Sequence, residues 1–255
     1  IYVNEAFSCS HRAHASVEAI TNYLPAYGGI NLTQEVENLV MATSAAVSPV
    51  MAIVGGAKIS TKLDLLTNLI TKLDYLAIGG AMANNFFLAQ GYSVGKSLVE
   101  PELLDVTLNI IQQAQKYNCH LILPTEVVTA NDLNAKHSEI KPCADIKADE
   151  SIFDLAPASI EQIAIHAQKC KMVVWNGPVG AFEFPLFANG SVSLAHNLAS
   201  LGSRNIKVIA GGGDTLSAIN KARAVGFHYL STAGGAFLEW LEGKKLPGIE
   251  ALLIR

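Results

Sequence analysis

The sequence predicts an α/β fold: a doubly wound six-stranded parallel sheet with helices on both faces, preceded by an opening segment that belongs to a different structural unit. Three observations predict it. Six short apolar runs end in small, turn-forming or polar residues; the runs are continuous rather than alternating; and five of them lead closely into a helix-like pattern. A strand that is apolar at every position is buried on both faces, and strands alternating with helices make a parallel sheet.

The runs, in order, are "VMAIVGG" (50–56), "YLAIGG" (75–80), "HLILPT" (120–125), "MVVWNGP" (172–178), "KVIAGGG" (207–213) and "HYLST" (228–232). Helical spacing of apolar residues appears in 33–47, 59–73, 100–117 and 159–170. Ser159 followed by Gln162 fits a capping box at the start of the last of these. "PAYGG" (25–29) breaks the chain ahead of the first helix, so the opening segment belongs to a different structural unit. Residues 131–150 are polar, without a clear period, and read as a loop or excursion.

At 255 residues and 50% hydrophobic, the chain can bury a substantial core as one large domain or two smaller ones. A net charge of −4 gives no electrostatic reason to expect nucleic acid or an anionic membrane as partner, so any anion site must be local. Cys9, Cys119, Cys143 and Cys170 form no C-x-x-C pair, which favours free thiols in a reducing cytoplasm. No apolar run reaches the ~20 residues that span a bilayer. The chain has no initiator methionine and "IYVNEAF" reads as the middle of a strand, so it reads as a fragment.

Ligands of open parallel sheets bind beyond the carboxyl ends of the strands. Here those ends carry "GGAKISTK", "GGAMAN", "WNGPVGAFE", "GGGDT" and "STAGGA". Glycine makes tight turns whatever the function, but its repetition at successive strand ends favours close backbone approach to a ligand. Lys58 and Lys62, four apart at the start of an expected helix, would share one face beside a helix N-terminus, where cations call for an anion. Asp214 follows Gly212 and Gly213 where an anion would be expected to bind; a carboxylate belongs there if a metal ion sits between it and phosphate. "GYSVGKS" (91–97) is one residue short of a Walker A loop and follows a helix, and no G-x-G-x-x-G opens the first turn. His11 and His14 offer a metal too few partners, whereas Arg12 suits a carboxylate or phosphate.

Taken in order, "YVNEAFSCSHRAHAS", "AIVGGAKISTKLDLL", "IGGAMANNFF", "GKSLVE", "VVWNGPVGAFE", "GGGDT" and "STAGGAFLEWLEGKKLPGIEAL" resemble the phosphoglycerate kinase family over essentially the whole chain. The resemblance implies a Rossmann-like nucleotide domain at 49–240, a remnant of the substrate domain at 1–30, an interdomain helix at 31–48 and a tail at 241–255 that returns toward the first domain. It implies reversible phosphoryl transfer from 1,3-bisphosphoglycerate to ADP, giving 3-phosphoglycerate and ATP, in a cytoplasmic enzyme that is monomeric at full length. Lys58, Lys62, Gly234 and Gly235 take catalytic roles by this resemblance, and His11 and Arg12 bind the glycerate substrate. Gly55, Gly56, Lys62, Asn176, Glu183, Gly212, Gly213, Asp214 and Thr215 bind nucleotide, with Glu183 on the ribose and Asp214 holding Mg²⁺.

The chain departs from the family pattern at Ala81, Ala156 and Ala233, which stand at glycine positions, and at Glu126 and Phe237, which replace an aspartate and a serine. An alanine forced to φ > 0 would strain its turn.

Overall fold

The computed structural model describes residues 1–43 and 47–253. The chain opens with β1 (Tyr2–Asn4), β2 (Ala26–Gly28) and α1 (Ile30–Thr43). It continues through β3 (Val50–Val54), α2 (Leu63–Ile70), β4 (Tyr75–Ile78), α3 (Ala83–Ala89), α4 (Leu104–Lys116) and β5 (His120–Ile122). An excursion follows, made of β6 (Glu126–Ala130), β7 (Glu139–Pro142) and β8 (Ser151–Leu155). The second half runs α5 (Pro157–Ala167), β9 (Met172–Asn176), α6 (Asn189–Leu201), β10 (Lys207–Gly211), α7 (Gly213–Ala222), β11 (Tyr229–Ser231), α8 (Gly234–Leu241) and α9 (Pro247–Leu253).

The expected six-stranded sheet is present, in the order β11-β10-β9-β3-β4-β5, and every pairing in it is parallel. The chain builds outward from β3 to β5, then returns to lay β9, β10 and β11 on the other side of β3. The strand order therefore reverses between β3 and β9, and a ligand crevice belongs at the carboxyl ends of those two strands. Both are buried at every residue, which is why their sequences read as unbroken apolar runs. α2 covers the sheet with Leu65, Leu66, Leu69 and Ile70, a stripe at helical spacing. Truncating any one of them to alanine would cost about 2–5 kcal/mol.

Helix boundaries differ from the sequence reading for local reasons. α1 begins at Ile30 because the Glu5 carboxylate, distant in sequence, accepts the free N–H groups of Ile30, Asn31 and Leu32 at 2.9, 2.8 and 3.2 Å. The pattern at 59–73 opens as a 3₁₀ turn over Ile59–Lys62 before α2, and that at 100–117 opens as one over Pro101–Leu103 before α4. The expected end of the first helix falls partly at residues 44–46, outside the described residues.

The capping box at Ser159 is not formed. Pro157 opens α5 two residues earlier, with Ala156 as its N-cap. The Ser159 hydroxyl turns instead to the start of β6, accepting from the amides of Thr125 and Glu126 and donating to the Glu126 carbonyl. Gln162 leaves its buried Oε1 without a partner. The excursion also has more structure than its polarity implied: β7-β6-β8 is an antiparallel sheet, and the Glu150 carboxylate is held by Lys141 at 2.7 Å.

Residues before α1 form a two-stranded parallel pair, Tyr2↔Ala26 to Asn4↔Gly28. They are tied to the carboxyl-terminal part of the chain, since the Gly248 amide donates to the Ser10 carbonyl at 2.9 Å and Phe7 joins the main core. Among the described residues, no helix is long and apolar enough to cross a membrane, and all four cysteines are free thiols.

Candidate functional site

The glycine-rich strand ends fall into two physical kinds. Gly55, Gly80 and Gly177 interlock the turns with each other: a Cβ at Gly55 would run into the Pro178 carbonyl, one at Gly177 into the Gly55 backbone, and one at Gly80 into the Gly56 backbone. The Gly55 amide donates to the Asn176 carbonyl at 2.9 Å, that of Gly80 to Val179 at 3.0 Å and that of Met82 to Gly56 at 3.1 Å. These glycines serve turn packing. Gly213 and Gly234 differ, because a Cβ would meet nothing within 4 Å at the first and only the Gly213 amide nitrogen, at 3.8 Å, at the second. They begin α7 and α8, so two helix N-termini with free N–H groups face the same open space.

That space is a cavity of about 240 Å³ lined by Lys62, Asn176, Gly213, Asp214, Gly234 and Gly235, among others. Its polar wall is a relay across three elements. The Lys62 ammonium donates to Asn176 Oδ1, Asn176 Nδ2 donates to the Gly211 carbonyl at 2.9 Å, and the Gly177 amide donates to Thr215 Oγ1 at 2.7 Å. Burial lowers the Lys62 pKa, while the negative charges of Glu242 and Asp214 work against that shift. An ammonium partly stripped of water gains most when an anion arrives.

Lys58 does not share this position. It is extended ahead of the 3₁₀ turn and exposed, so the four-residue spacing does not put the two lysines on one helical face. The charged group beside Lys58 is Glu100, whose carboxylate accepts from the Ser60 amide and hydroxyl.

A second cavity, of about 400 Å³, lies on the far side of Asp214, which lines both. Its walls are mostly apolar, with Leu155, Val179 and Phe184 among them, and Gly56 and Glu183 belong to it as well. A polar end and an apolar end meeting at one carboxylate suit a ligand with a charged tail and a flat apolar body.

His11 and Arg12 lie beside the polar end. Arg12 Nε donates to His11 Nε2 at 3.1 Å, and the His11 ring packs so closely on Gly235 that a Cβ there would sit 2.8 Å from Nε2. His11 Nδ1 is buried without a partner.

Sequence reading missed Asp154, Ser191 and Lys221, which surround the loop carrying Glu183. Asp154 is only 1% exposed, and burial pushes its pKa up to about 7 against the opposing hydrogen bonds from Gly190 and Leu155. It lies within a strand of the excursion, whose polar flanks gave no periodic signal.

Residues that depart from the resemblance are accommodated. Positive φ at non-glycine residues occurs, among the described residues, only at Asn118, Asn205 and Arg223, so Ala81, Ala156 and Ala233 sit in ordinary backbone conformations. Phe237 is fully buried with its ring against Gly211, where a Cβ would be 2.8 Å from the ring carbons. "GYSVGKS" is no phosphate loop: Gly95 packs against the Lys147 and Glu150 carbonyls, and the Lys96 amide donates to Glu150 O at 2.7 Å.

Among the described residues, no three His, Cys, Asp or Glu side chains gather as a metal cage. Mg²⁺ needs no such cage, since one or two carboxylates plus ligand phosphates and water complete its octahedron. The exposed Asp214 carboxylate between the two cavities fits that role.

Fold and cleft define a doubly wound α/β domain whose ligand crevice, polar at one end and apolar at the other, opens where the strand order reverses. More particularly, the chain belongs to the phosphoglycerate kinase family, whose model matches residues 1–244. It is 48% identical over 256 residues to the phosphoglycerate kinase of Novosphingobium aromaticivorans and 47% identical over 255 residues to that of Caulobacter vibrioides. Each match takes in 99% of this chain, which spans 65% and 64% of those relatives' own lengths. The solved phosphoglycerate kinase of Coxiella burnetii superposes with a TM-score of 0.91 at 42% identity, covering 97% of this chain and 64% of that one. That of Pyrococcus horikoshii gives 0.85 at 26% identity, covering 99% and 63%.

Proposed function

We propose that this chain carries the nucleotide-binding half of a phosphoglycerate kinase, which transfers a phosphoryl group reversibly between 1,3-bisphosphoglycerate and ADP to give 3-phosphoglycerate and ATP. The observation that carries the reading is the convergence of the α7 and α8 N-termini and the half-buried Lys62 on one small cavity that joins an apolar groove at Asp214.

In this reading the nucleoside lies in the apolar groove, with Glu183 accepting from a ribose hydroxyl and Gly56 leaving room for the base. The phosphates lie over the amides at Gly212, Gly213 and Thr215. Asp214 would hold Mg²⁺, which when bound offsets phosphate charge. Lys62, held by Asn176, faces the moving phosphoryl group together with the amides of Gly234 and Gly235. His11 and Arg12 meet the glycerate substrate from the other side. Lys58, exposed and extended ahead of the 3₁₀ turn, joins the site only by a change of position. Transfer runs in line between a carboxyl oxygen and the terminal phosphate oxygen of the nucleotide, so no covalent enzyme intermediate is required.

The divisions at 1–30, 31–48, 49–240 and 241–255, a cytoplasmic setting and a monomeric full-length enzyme belong to the same proposal. Calorimetric titration tests it directly: MgADP is expected to bind and NAD not to. Binding of NAD in preference, or of neither, overturns the assignment.

A further inference from the structure

The loop from Gly177 to Phe184 approaches the apolar groove and sets down Glu183 at its rim. It crosses β8, α6 and α7, and each holds its backbone. The Val179 amide donates to Ser191 Oγ at 3.0 Å, the Ala181 amide to the Phe153 carbonyl at 2.8 Å, and Lys221 Nζ donates to the Phe182 carbonyl at 2.6 Å. The last bond fixes the peptide plane immediately before Glu183 and therefore the direction in which that side chain leaves the loop.

Asp154 holds the other side. Its Oδ1 accepts from the Leu155 amide at 2.9 Å and its Oδ2 from the Gly190 amide at 2.7 Å, at the start of α6. Gly180 of the loop and Gly190 both pack onto it so closely that a Cβ at either would overlap its carboxylate. Asp154 lines the apolar groove, but a carboxylate only 1% exposed, with both oxygens committed to backbone amides, has little left to offer a ligand there. What it does is bind strand, helix and loop into one body.

We propose that Asp154 and Lys221 are positioning residues that preform the nucleoside half of the cleft by holding the Glu183 loop, acting through the loop rather than by ligand contact. Naming the nucleoside rests on the function proposed above; the anchoring of the loop does not. A loop already held spares the ligand the entropy of ordering it.

Two variants test the proposal. Asp154→Asn keeps the volume but presents one NH₂ where two oxygens accept amides. Lys221→Met keeps the apolar stem of an exposed residue and removes the donor, so its fold is not at risk. Amide hydrogen exchange without ligand is expected to quicken over residues 179–184 in both and to stay unchanged over 212–216. Adenosine and magnesium tripolyphosphate then probe the two ends separately: adenosine affinity should fall about tenfold, as for loss of one charged hydrogen bond, with tripolyphosphate affinity held. Unchanged exchange overturns the proposal, as does quickened exchange with adenosine affinity intact, or equal loss of both probes. If the parent chain binds no adenosine, the nucleotide reading fails, and exchange alone decides whether these residues hold the loop.

Discussion

The Lys62 ammonium meets the side-chain oxygen of Asn176, so a lysine at the start of α2 is held over the end of β9, across the point where the strand order reverses. Asn176 is itself fixed by its bond to the Gly211 carbonyl. The charge is therefore placed before a ligand arrives, at the expense of part of its hydration.

Replacing Lys62 by methionine should separate binding from stability. Burial lowers the folded-state pKa, so the charged form does not favour folding at neutral pH, and only the loss of a donor to the buried Asn176 Oδ1 counts against the variant, so the free energy of urea unfolding should fall by no more than about 1–3 kcal/mol. MgADP affinity should fall roughly ten- to hundredfold, the worth of a hydrogen bond to a charged group. A large loss of stability with binding intact would make Lys62 a scaffold residue.

Asp214→Asn keeps the shape of the turn and removes its charge. Calorimetric titrations of ADP with and without Mg²⁺ should show a strong magnesium dependence in the parent and a weak one in the variant. An equal response in both would remove Asp214 from the metal's surroundings.

Glu35 sits in α1 against β11, buried, with Oε1 accepting from Ser231 Oγ at 3.2 Å. Burial raises its pKa above 4.5, although hydrogen bonds from Tyr229 and Ser231 oppose the shift. A carboxyl raised on folding contributes stability that is fully present below its unfolded value and is lost as pH rises through the folded value. Glu35→Gln cannot ionise, so the variant should gain on the parent as pH rises from about 4 toward neutrality. Unfolding midpoints measured across that range would refute this if the difference between the two proteins stayed flat.

Phe237 fills the space left by Gly211 beneath the start of α8. Phe237→Ser would remove the ring and leave a hydroxyl in an apolar setting, costing about 3–5 kcal/mol by the measure of large-to-small core changes. Thermal and urea unfolding read this directly. A loss below about 1 kcal/mol would mean that α8 settles onto the sheet without the ring.

Legibility from sequence followed range. The six strands were readable because the inner ones are buried almost throughout on both faces and all end in glycine or another turn former, so "VMAIVGG" and "KVIAGGG" announce both a strand and its end. The cleft was readable for the same reason, since in a parallel sheet those ends meet in space. What stayed hidden depends on distant partners. Glu5 caps a helix far along the chain, Ser159 abandons a local capping box for β6, and Lys58 stays extended ahead of the 3₁₀ turn rather than at the side of Lys62. Asp154 stands two residues before Ala156 in a stretch read only for that alanine, Lys221 lies outside every recognisable motif, and both gain their roles only where β8, α6 and α7 close around one loop.

The 255-residue polypeptide expressed by itself should bind MgADP yet turn over 3-phosphoglycerate and ATP negligibly. On the side proposed for the nucleotide it has two helix N-termini, Lys62 and Asp214 around one cavity, and an apolar groove beside it. On the glycerate side it offers Arg12, whose Nε is already bonded to His11. In-line transfer requires donor and acceptor oxygens to be held together with water excluded, and such positioning supplies about 7–11 kcal/mol of barrier reduction. One arginine cannot hold a bisphosphorylated substrate in line against a nucleotide across an open cleft. Removing that much positioning corresponds to a rate loss of roughly five to eight orders of magnitude, which places turnover below ordinary detection. A coupled assay run beside the MgADP titration decides the matter. Turnover near that of a full-length relative would show that the residues present suffice to align both substrates, and the division of labour argued for the two sides of the cleft would fall.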